Sequence, residues 1–127
     1  MNINPIALGQ HTIIDLYDCL PSKLDDPDFL EKVMLNGANL ANATIVKSYF
    51  HQFSPIGISG SIIIAESHFN IHTWPEHGYA AIDLFTCGTE LKADLAAAYI
   101  IEELECKRHR IKTLDRGTDY NSPSDSL

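Results

Sequence analysis

The chain has 127 residues, 45% of them hydrophobic, which is enough apolar material for one domain with a single core. Seventeen acidic residues against nine basic ones give a net charge of −8, which argues against a nucleic-acid partner. No apolar run reaches the length of a membrane span and no secretory signal precedes the first polar residues, so we expect a cytoplasmic protein without a membrane partner.

Hydrophobic periodicity and turn residues predict the order of the secondary structure. Ile14 and Leu16 alternate with polar neighbours, as in a half-buried strand. Asp26 and Pro27 suit the N-cap and first position of a helix, in which Gly37 allows close packing on a sheet. The predicted elements are a strand at 12–19, a loop at 21–25, a helix at 27–41, strands at 44–52, 60–66, 69–73 and 79–86, a helix at 90–107 and a strand at 110–114.

Two helices and mostly hairpin-length connections predict an α+β fold, a two-layer sandwich in which an antiparallel sheet carries both helices on one face. The apolar run that ends before residue 66 favours an interior strand. The opposite face of the sheet would lack cover, which suggests a second copy of the chain. We expect a single domain over residues 1–127, with a tail at 117–127 that is too polar to pack.

The residues with the most chemistry lie between 57 and 88. Ser67 follows an apolar strand, where a strained turn would aim its hydroxyl at the carbonyl of Glu66; a turn serine with local hydrogen bonds is the alternative. His68 and His72 fall on one side of an extended segment, as a general base near the serine or as hydrogen-bonded structural residues. Cys87 precedes a predicted helix start and is either a reactive thiol or a small buried side chain.

Other candidates have weaker support. Phe53 and Trp74 are core residues or platforms for a flat heterocycle, and Glu76 is a hydroxyl or cation acceptor or a solvated charge. Three cysteines spread along the chain argue for reduced thiols, and Cys19 and Cys106 are assigned to small buried side chains. A zinc site is a weaker alternative, because no structural-zinc spacing is matched. Its possible ligands are His68, His72, His77 and Cys87.

One long motif carries a resemblance. The segment from residue 65 to 88 reads AESHFNIHTWPEHGYAAIDLFTCG. It closely resembles the self-processing core of the short prokaryotic S-adenosylmethionine decarboxylases, whose form is [AS]-E-S-H-x-x-I-H-T-W-P-E-x-G-Y-A-A-[IV]-D-[LV]-F-T-C-G. The similarity extends upstream through FHQFSPIGISG and to the segment GQHTIIDLYDC, so that it covers about residues 9 to 116.

The resemblance implies an enzyme that makes its own pyruvoyl cofactor from a serine. By this analogy Ser67 attacks the carbonyl of Glu66 and converts the amide to an ester. Elimination then leaves a dehydroalanine, which hydrolyses to a pyruvoyl group with loss of ammonia. The products are a β chain, 1–66, and an α chain, 67–127. The pyruvoyl group forms a Schiff base with S-adenosylmethionine and accepts the electron pair of decarboxylation, which supplies the aminopropyl donor for spermidine synthesis.

The resemblance also assigns individual roles and partners. His72 accepts a proton during processing, Ser59 supports the reaction centre, Cys87 donates a proton in catalysis, Phe53 and Trp74 lie beside the substrate, and Glu76 binds its ribose hydroxyls. No metal is implied, and the active sites are expected at or near the interface of a homodimer of processed chains. Arginine or ornithine stays the alternative substrate, since some relatives with this core decarboxylate those amino acids. Phe69 and His77 differ from the commoner family choices and would reshape the pocket.

Overall fold

The computed structural model of the chain describes residues 7–65, 67–87, 91–118 and 120. Its strands are β1 (Gly9–Tyr17), β2 (Ile45–Gln52), β3 (Ile58–Ile64), β4 (Ser67–Trp74), β5 (Tyr79–Thr86) and β6 (Arg108–Arg116). Its helices are α1 (Pro21–Leu24), α2 (Pro27–Leu40) and α3 (Ala93–Glu103), and a 3-10 turn runs over Pro75–His77.

The strands form one six-stranded sheet in the order β2-β3-β4-β5-β1-β6. Every neighbouring pair is antiparallel, and β1 lies between β5 and β6. α2 and α3 contact each other and pack on one face of the sheet. The predicted α+β fold class, an antiparallel sheet with its two long helices on one face, is therefore confirmed.

Alternating side chains divide the sheet into a covered face and an open face. In β5, for example, Ala80, Ile82 and Leu84 are buried while Asp83 and Phe85 are half-buried on the other side. The covered face joins the helices in one core, whose largest fully buried members are Ile14, Leu16, Leu24, Leu30, Met34, Ile58, Ile62, Ile64, Phe69, Ile71, Ile82 and Ile100.

The first long helix begins as its sequence predicts. The carboxylate of Asp26 accepts a hydrogen bond from the backbone N–H of Phe29 at 3.1 Å, which satisfies one of the open donors of the first turn. Gly37 of α2 allows close packing, as predicted, but chiefly against α3 rather than against the sheet. A Cβ at that position would lie 3.2 Å from Ile100 of α3 and 3.7 Å from Phe69 of the sheet.

Several boundaries differ from the sequence predictions. The predicted loop at 21–25 contains α1, because Pro21 suits a first helical turn and Leu24 is buried in the core. β3 is interior as predicted, but the open face leaves its Ile63 52% exposed. α3 is shorter than predicted, and residues 88–90 lie outside the described residues, as does most of the predicted tail.

The open face carries a high density of polar and aromatic side chains. Its members on β1, β3, β4 and β5 include His11, Asp15, Tyr17, Ser59, Ser61, His68, Asn70, His72, Trp74, Tyr79, Asp83 and Phe85. None of the helices in the described residues is long and apolar enough to cross a membrane.

Candidate active site

Ser67 is the first residue of β4 and follows a very short connection. Ile64 of β3 pairs with Ser67, so only Ala65 and Glu66 join the two strands. Glu66 lies outside the described residues. The N–H of Ala65 donates to the carbonyl of Thr44 at 2.8 Å, which anchors the connection. The Ser67 hydroxyl lies 3.5 Å from the carbonyl oxygen of Ala65, at the outer limit for a hydrogen bond.

Cys87 lies at the same end of the sheet as Ser67. His68 and Phe85 are direct partners on the antiparallel strands β4 and β5. Ser67 comes one residue before that pair and Cys87 two residues after it. Both therefore lie at the same end of the neighbouring strands β4 and β5. Cys87 is exposed. The predicted helix start beside it is not found in the described residues, where α3 begins only at Ala93.

A hydrogen-bonded network occupies the open face beside this end. The Nε2 atoms of His68 and His11 lie 3.0 Å and 2.8 Å from the same carboxylate oxygen of Asp83. His68 stacks on Phe85 with the ring centroids 5.7 Å apart, and His11 meets both rings edge-on. Arg116 completes the network, since its Nη1 lies 3.0 Å from Nδ1 of His11.

The chemistry of the donors defines the histidine tautomers. A guanidinium only donates, so the Nδ1 of His11 accepts from Arg116 and its Nε2 carries the proton that is donated to Asp83. The three groups converge closely enough to resemble a metal site. In this arrangement both histidines are hydrogen-bonded to Asp83, so the three groups form a hydrogen-bonded network. The zinc set considered from the sequence is not assembled, because no three of its four members converge among the described residues.

The far end of β4 forms a cleft of about 260 Å³. Within it the Ser59 hydroxyl lies 2.8 Å from Nδ1 of His72, its partner across β3 and β4. The side chains of Phe53 and Trp74 are 49% and 42% exposed, which is unusual for large aromatic residues. Glu76 of the 3-10 turn adds an exposed carboxylate. The structure thus brings together five of the residues predicted for the site.

The remaining predicted site residues are distant from this cleft. Ser67 and His72 lie on one strand, five positions apart, which separates their Cα atoms by roughly 17 Å. Cys87 stays with Ser67. One copy of the chain therefore holds the predicted site as two separate parts, a start cluster around Ser67 and Cys87 and an end cleft around Ser59, His72 and Trp74.

Comparisons with known proteins identify the family of the chain. A model of the S-adenosylmethionine decarboxylase family matches residues 10–117. The chain belongs to the S-adenosylmethionine decarboxylase family.

Individual relatives support the same assignment. The chain is 51% identical over 118 residues to the S-adenosylmethionine decarboxylase proenzyme of Pseudomonas aeruginosa (strain UCBPP-PA14), covering 92% of this chain and 74% of that protein. It is 50% identical over 111 residues to the proenzyme of Thermodesulfovibrio yellowstonii, covering 87% and 82%.

Solved structures show the same fold. The adenosylmethionine decarboxylase of Aquifex aeolicus matches with a TM-score of 0.80 and 39% identity, covering 87% of this chain and 92% of that one. A monomer of the Trypanosoma brucei AdoMetDC matches with a TM-score of 0.63 at 14% identity, covering 89% and 50%. The second match shows likeness of fold alone.

In this decarboxylase-family chain, sequence reasoning missed the residues that pack around the start cluster. Asp83 is the one charged residue of β5, and that pattern in the sequence could have marked it as a candidate. Its contact with His11, and that of His11 with Arg116, join residues far apart in the chain, so no local pattern predicts them. Tyr79 was missed too: its hydroxyl donates to Asp15, and burial together with that bond raises the pKa of Tyr79 to about 12.

One cavity of the described residues lies away from the family's motif. A space of about 430 Å³ between α3 and the strands β1 and β6 is lined mainly by apolar and small side chains, with Asp94 and His109 as its charged or titratable members. It contains none of the predicted site residues. A second space of about 430 Å³ adjoins the end cleft, and Trp74 forms a wall of both.

Proposed function

We propose that the chain is a self-processing S-adenosylmethionine decarboxylase whose product is the aminopropyl donor for spermidine synthesis. The observation that carries this proposal is the end cleft, where two exposed aromatic side chains, a carboxylate and a serine–histidine pair meet in a chain of this family. Processing between Glu66 and Ser67 yields fragments 1–66 and 67–127 of the single domain. We expect it to act in the cytoplasm, where thiols stay reduced.

The short β3–β4 connection suits the processing step. The Ser67 oxygen attacks the carbonyl carbon of Glu66, the C–N bond breaks, and the acyl group of Glu66 moves from the nitrogen to the oxygen as an ester. The hydroxyl proton passes to the freed amine. Removal of the α-proton of residue 67 then expels the carboxylate of Glu66 and ends the first fragment. The tight pairing of Ile64 with Ser67 holds both sides of the reacting bond before the cut.

The position of Ser67 fits a pyruvoyl group derived from it. Ser67 is half-buried at a strand end, outside the core, and Cys87 leaves the sheet beside it. When formed, the group supplies an electrophilic carbonyl that stabilises the electron pair released on decarboxylation. The Cys87 thiol is then placed to return a proton to the substrate carbon.

The end cleft has the chemistry of a nucleoside site with a cation. The exposed rings of Phe53 and Trp74 offer faces for adenine and for the sulfonium charge. The Glu76 carboxylate is a pure acceptor when ionised, which suits the two ribose hydroxyls. Arginine and ornithine lack the flat ring and the ribose, so these residues favour the nucleoside substrate.

The distance between the start cluster and the end cleft supports a homodimer. About 17 Å between Ser67 and His72 is too far for a proton transfer within one chain. The end cleft and the histidine network next to Ser67 lie along the same open face of the sheet. A second copy laid on that face by a two-fold axis would set its end cleft against this chain's start cluster, so that two equivalent composite sites form.

The test of the function is intact mass followed by carbon dioxide release. Purified protein should contain two fragments that divide between residues 66 and 67, with the second fragment carrying no free α-amine. Carbon dioxide release should be found with S-adenosylmethionine and not with arginine or ornithine. A chain that stays uncut under all conditions would overturn the proposal, and release from an amino acid instead would move the substrate to the alternative.

The shared site has its own test in mixed dimers. Ser67→Ala and His72→Ala chains should each fail to process alone. When they are produced together, the His72→Ala chain should be cut, because it keeps Ser67 and receives His72 from its partner. Two different affinity tags identify which chain is cut. Absence of any cutting in verified mixed dimers would place all processing residues in one chain.

A further inference from the structure

Two cysteines that the sequence analysis treated as separate lie in contact. The Sγ atoms of Cys19 and Cys106 are 2.8 Å apart, although the residues are far apart in the chain. Cys19 follows β1 and is buried, and Cys106 is half-buried in the turn between α3 and β6. Cys19 is a small side chain of the core and Cys106 packs against that core, in line with the assignment from the sequence. The contact between them was not predicted, because it arises where two turns distant in the chain meet.

The backbone around the two thiols is held on several sides. Cys19 and its neighbours pair with the turns that surround them, so the position of each sulfur does not depend on its own side chain alone. The hydrogen bonds run from Cys19 N to Gly78 O at 2.9 Å, from Leu20 N to Leu104 O at 3.1 Å and from Lys107 N to Tyr17 O at 3.2 Å.

Ion pairs and unusual backbone angles act at the same junction. Lys23 pairs with Glu105 at 3.1 Å and Arg108 with Asp18 at 2.7 Å. Asp18 and Glu105, which directly precede the two cysteines, have φ angles of 55° and 52°. Such angles are uncommon for residues other than glycine and persist where the surroundings impose them. These contacts between the turn after β1 and the turn before β6 hold the two thiols against each other.

The proton distribution prepares the pair for exchange with a disulfide. The hydrogen bond from Cys106 lowers the pKa of the Cys19 thiol, and the same hydrogen bond raises the pKa of Cys106. The pair therefore loses its first proton more readily than an isolated thiol does, and the two sulfurs share the proton that remains. A disulfide needs the sulfurs to approach from 2.8 Å to a covalent distance, a movement of less than about 1 Å.

We propose that Cys19 and Cys106 form a disulfide when they meet a small disulfide oxidant such as oxidised glutathione, and that this bond joins the two processed fragments. The half-buried Cys106 passes its proton to the hydrogen-bonded Cys19 sulfur and attacks the glutathione disulfide, which gives the mixed disulfide and a glutathione thiolate that takes the proton from Cys19. The Cys19 thiolate then attacks the Cys106 sulfur and releases the second. Two thiols are oxidised and one glutathione disulfide is reduced to two thiols. The link between fragments rests on the proposed cut after residue 66, because Cys19 precedes it and Cys106 follows it.

The experiment uses processed, reduced protein that is incubated with oxidised glutathione, quenched in acid and measured by denaturing mass spectrometry without reductant. Before oxidation we expect two fragments. Afterwards we expect one species with their summed mass less two hydrogen atoms, which dithiothreitol separates again. Cys19→Ser and Cys106→Ser should each remove the joined species, and the matched control Cys87→Ser should keep it.

Two outcomes would overturn the proposal: fragments that stay separate at high ratios of oxidised to reduced glutathione, or a joined species that requires Cys87. The unprocessed Ser67→Ala chain separates this result from failure of the cut. In that intact chain, iodoacetamide added in denaturant should label all three cysteines before oxidation and one afterwards. If it labels three in both states, no bond forms, whether or not the chain is cut.

Discussion

The two ends of β4 differ sharply in how their polar residues are held. At its start, His68 is fixed by a carboxylate, a second imidazole and a stacked ring. At its end, His72 and Trp74 line an open cleft with exposed aromatic surface. At the start, contacts within the chain fix the polar side chains. At the end, the aromatic rings keep exposed faces that a ligand could cover.

The difference separates positioning from binding along one strand. A preorganised group holds a reacting atom without rearrangement, while exposed aromatic and acidic groups gain from a ligand that covers them. Changes at the start should therefore affect processing and turnover, whereas changes to the exposed aromatic and acidic side chains at the end should affect the apparent affinity for substrate.

The largest effect is expected for Ser67→Ala. Without the hydroxyl no ester can form, so the chain should stay intact and decarboxylation should be absent. Intact mass and carbon dioxide release measure both. Ser22→Ala, at an exposed position of α1, is the matched control and should process normally. Cutting of the Ser67→Ala chain at the same bond would show that the start of β4 does not supply the nucleophile.

The next effect is expected for Cys87→Ala. Processing should continue, but turnover should fall by roughly 10²- to 10⁴-fold, the usual contribution of a positioned general acid. Single-turnover and steady-state rates on the processed protein give the measurement. Cys106→Ser serves as control and should retain the rate under reducing conditions. If Cys87→Ala turns over normally, the proton comes from another group.

The end cleft should respond through binding. Glu76→Gln keeps the shape but removes the charge, at a cost of about 1.5–3 kcal/mol for a hydrogen bond to a charged group. The KM for S-adenosylmethionine should then rise roughly ten- to a hundredfold, with processing unchanged. Glu102→Gln on α3, also exposed, is the control. A fall in kcat at constant KM would assign Glu76 to the reaction rather than to binding.

A smaller effect is expected for Asp83→Asn in the network. The amide keeps one oxygen as acceptor while the charge that holds both imidazoles is lost, so we expect about 1 kcal/mol of lost stability. Turnover should fall more than KM rises, because residue 67 is displaced rather than the cleft. Urea unfolding and steady-state kinetics measure the two. A change in KM alone would contradict the separation between the ends of β4.

The smallest effect concerns Tyr79, whose ring lies 5.3 Å from that of Trp74. Burial and the bond to Asp15 raise the pKa of Tyr79 to about 12, above that of an unfolded tyrosine. Its contribution to stability is therefore complete below about pH 10 and is lost as the pH rises towards 12. Ultraviolet titration should show one late tyrosine transition, which Tyr79→Phe removes and Asp15→Asn moves to lower pH. No change with Asp15→Asn would assign the shift to burial alone.

The fold was predictable where local patterns agree with the final structure. The apolar run at 79–86 and the Asp26–Pro27 helix start placed β5 and α2 correctly, since each depends on residues close in the chain. α1 was missed because four residues carry too little periodicity. The motif predicted the residues of the candidate site, but their division between the two ends of β4 depends on strand register. The contact between Cys19 and Cys106 depends on two turns meeting in space.

The place of β1 between β5 and β6 has a consequence for the lifetime of the processed molecule. A cut after residue 66 gives β1, β2 and β3 to one polypeptide and β4, β5 and β6 to the other. Strand β1 of the first polypeptide then lies between β5 and β6 of the second. Leaving requires the rupture of three strand pairings, β3 with β4, β1 with β5 and β1 with β6. After denaturation the two fragments must reassociate in a bimolecular step, whereas the uncut precursor refolds as one chain. The lifetime of the mature molecule therefore depends on how slowly its fragments dissociate.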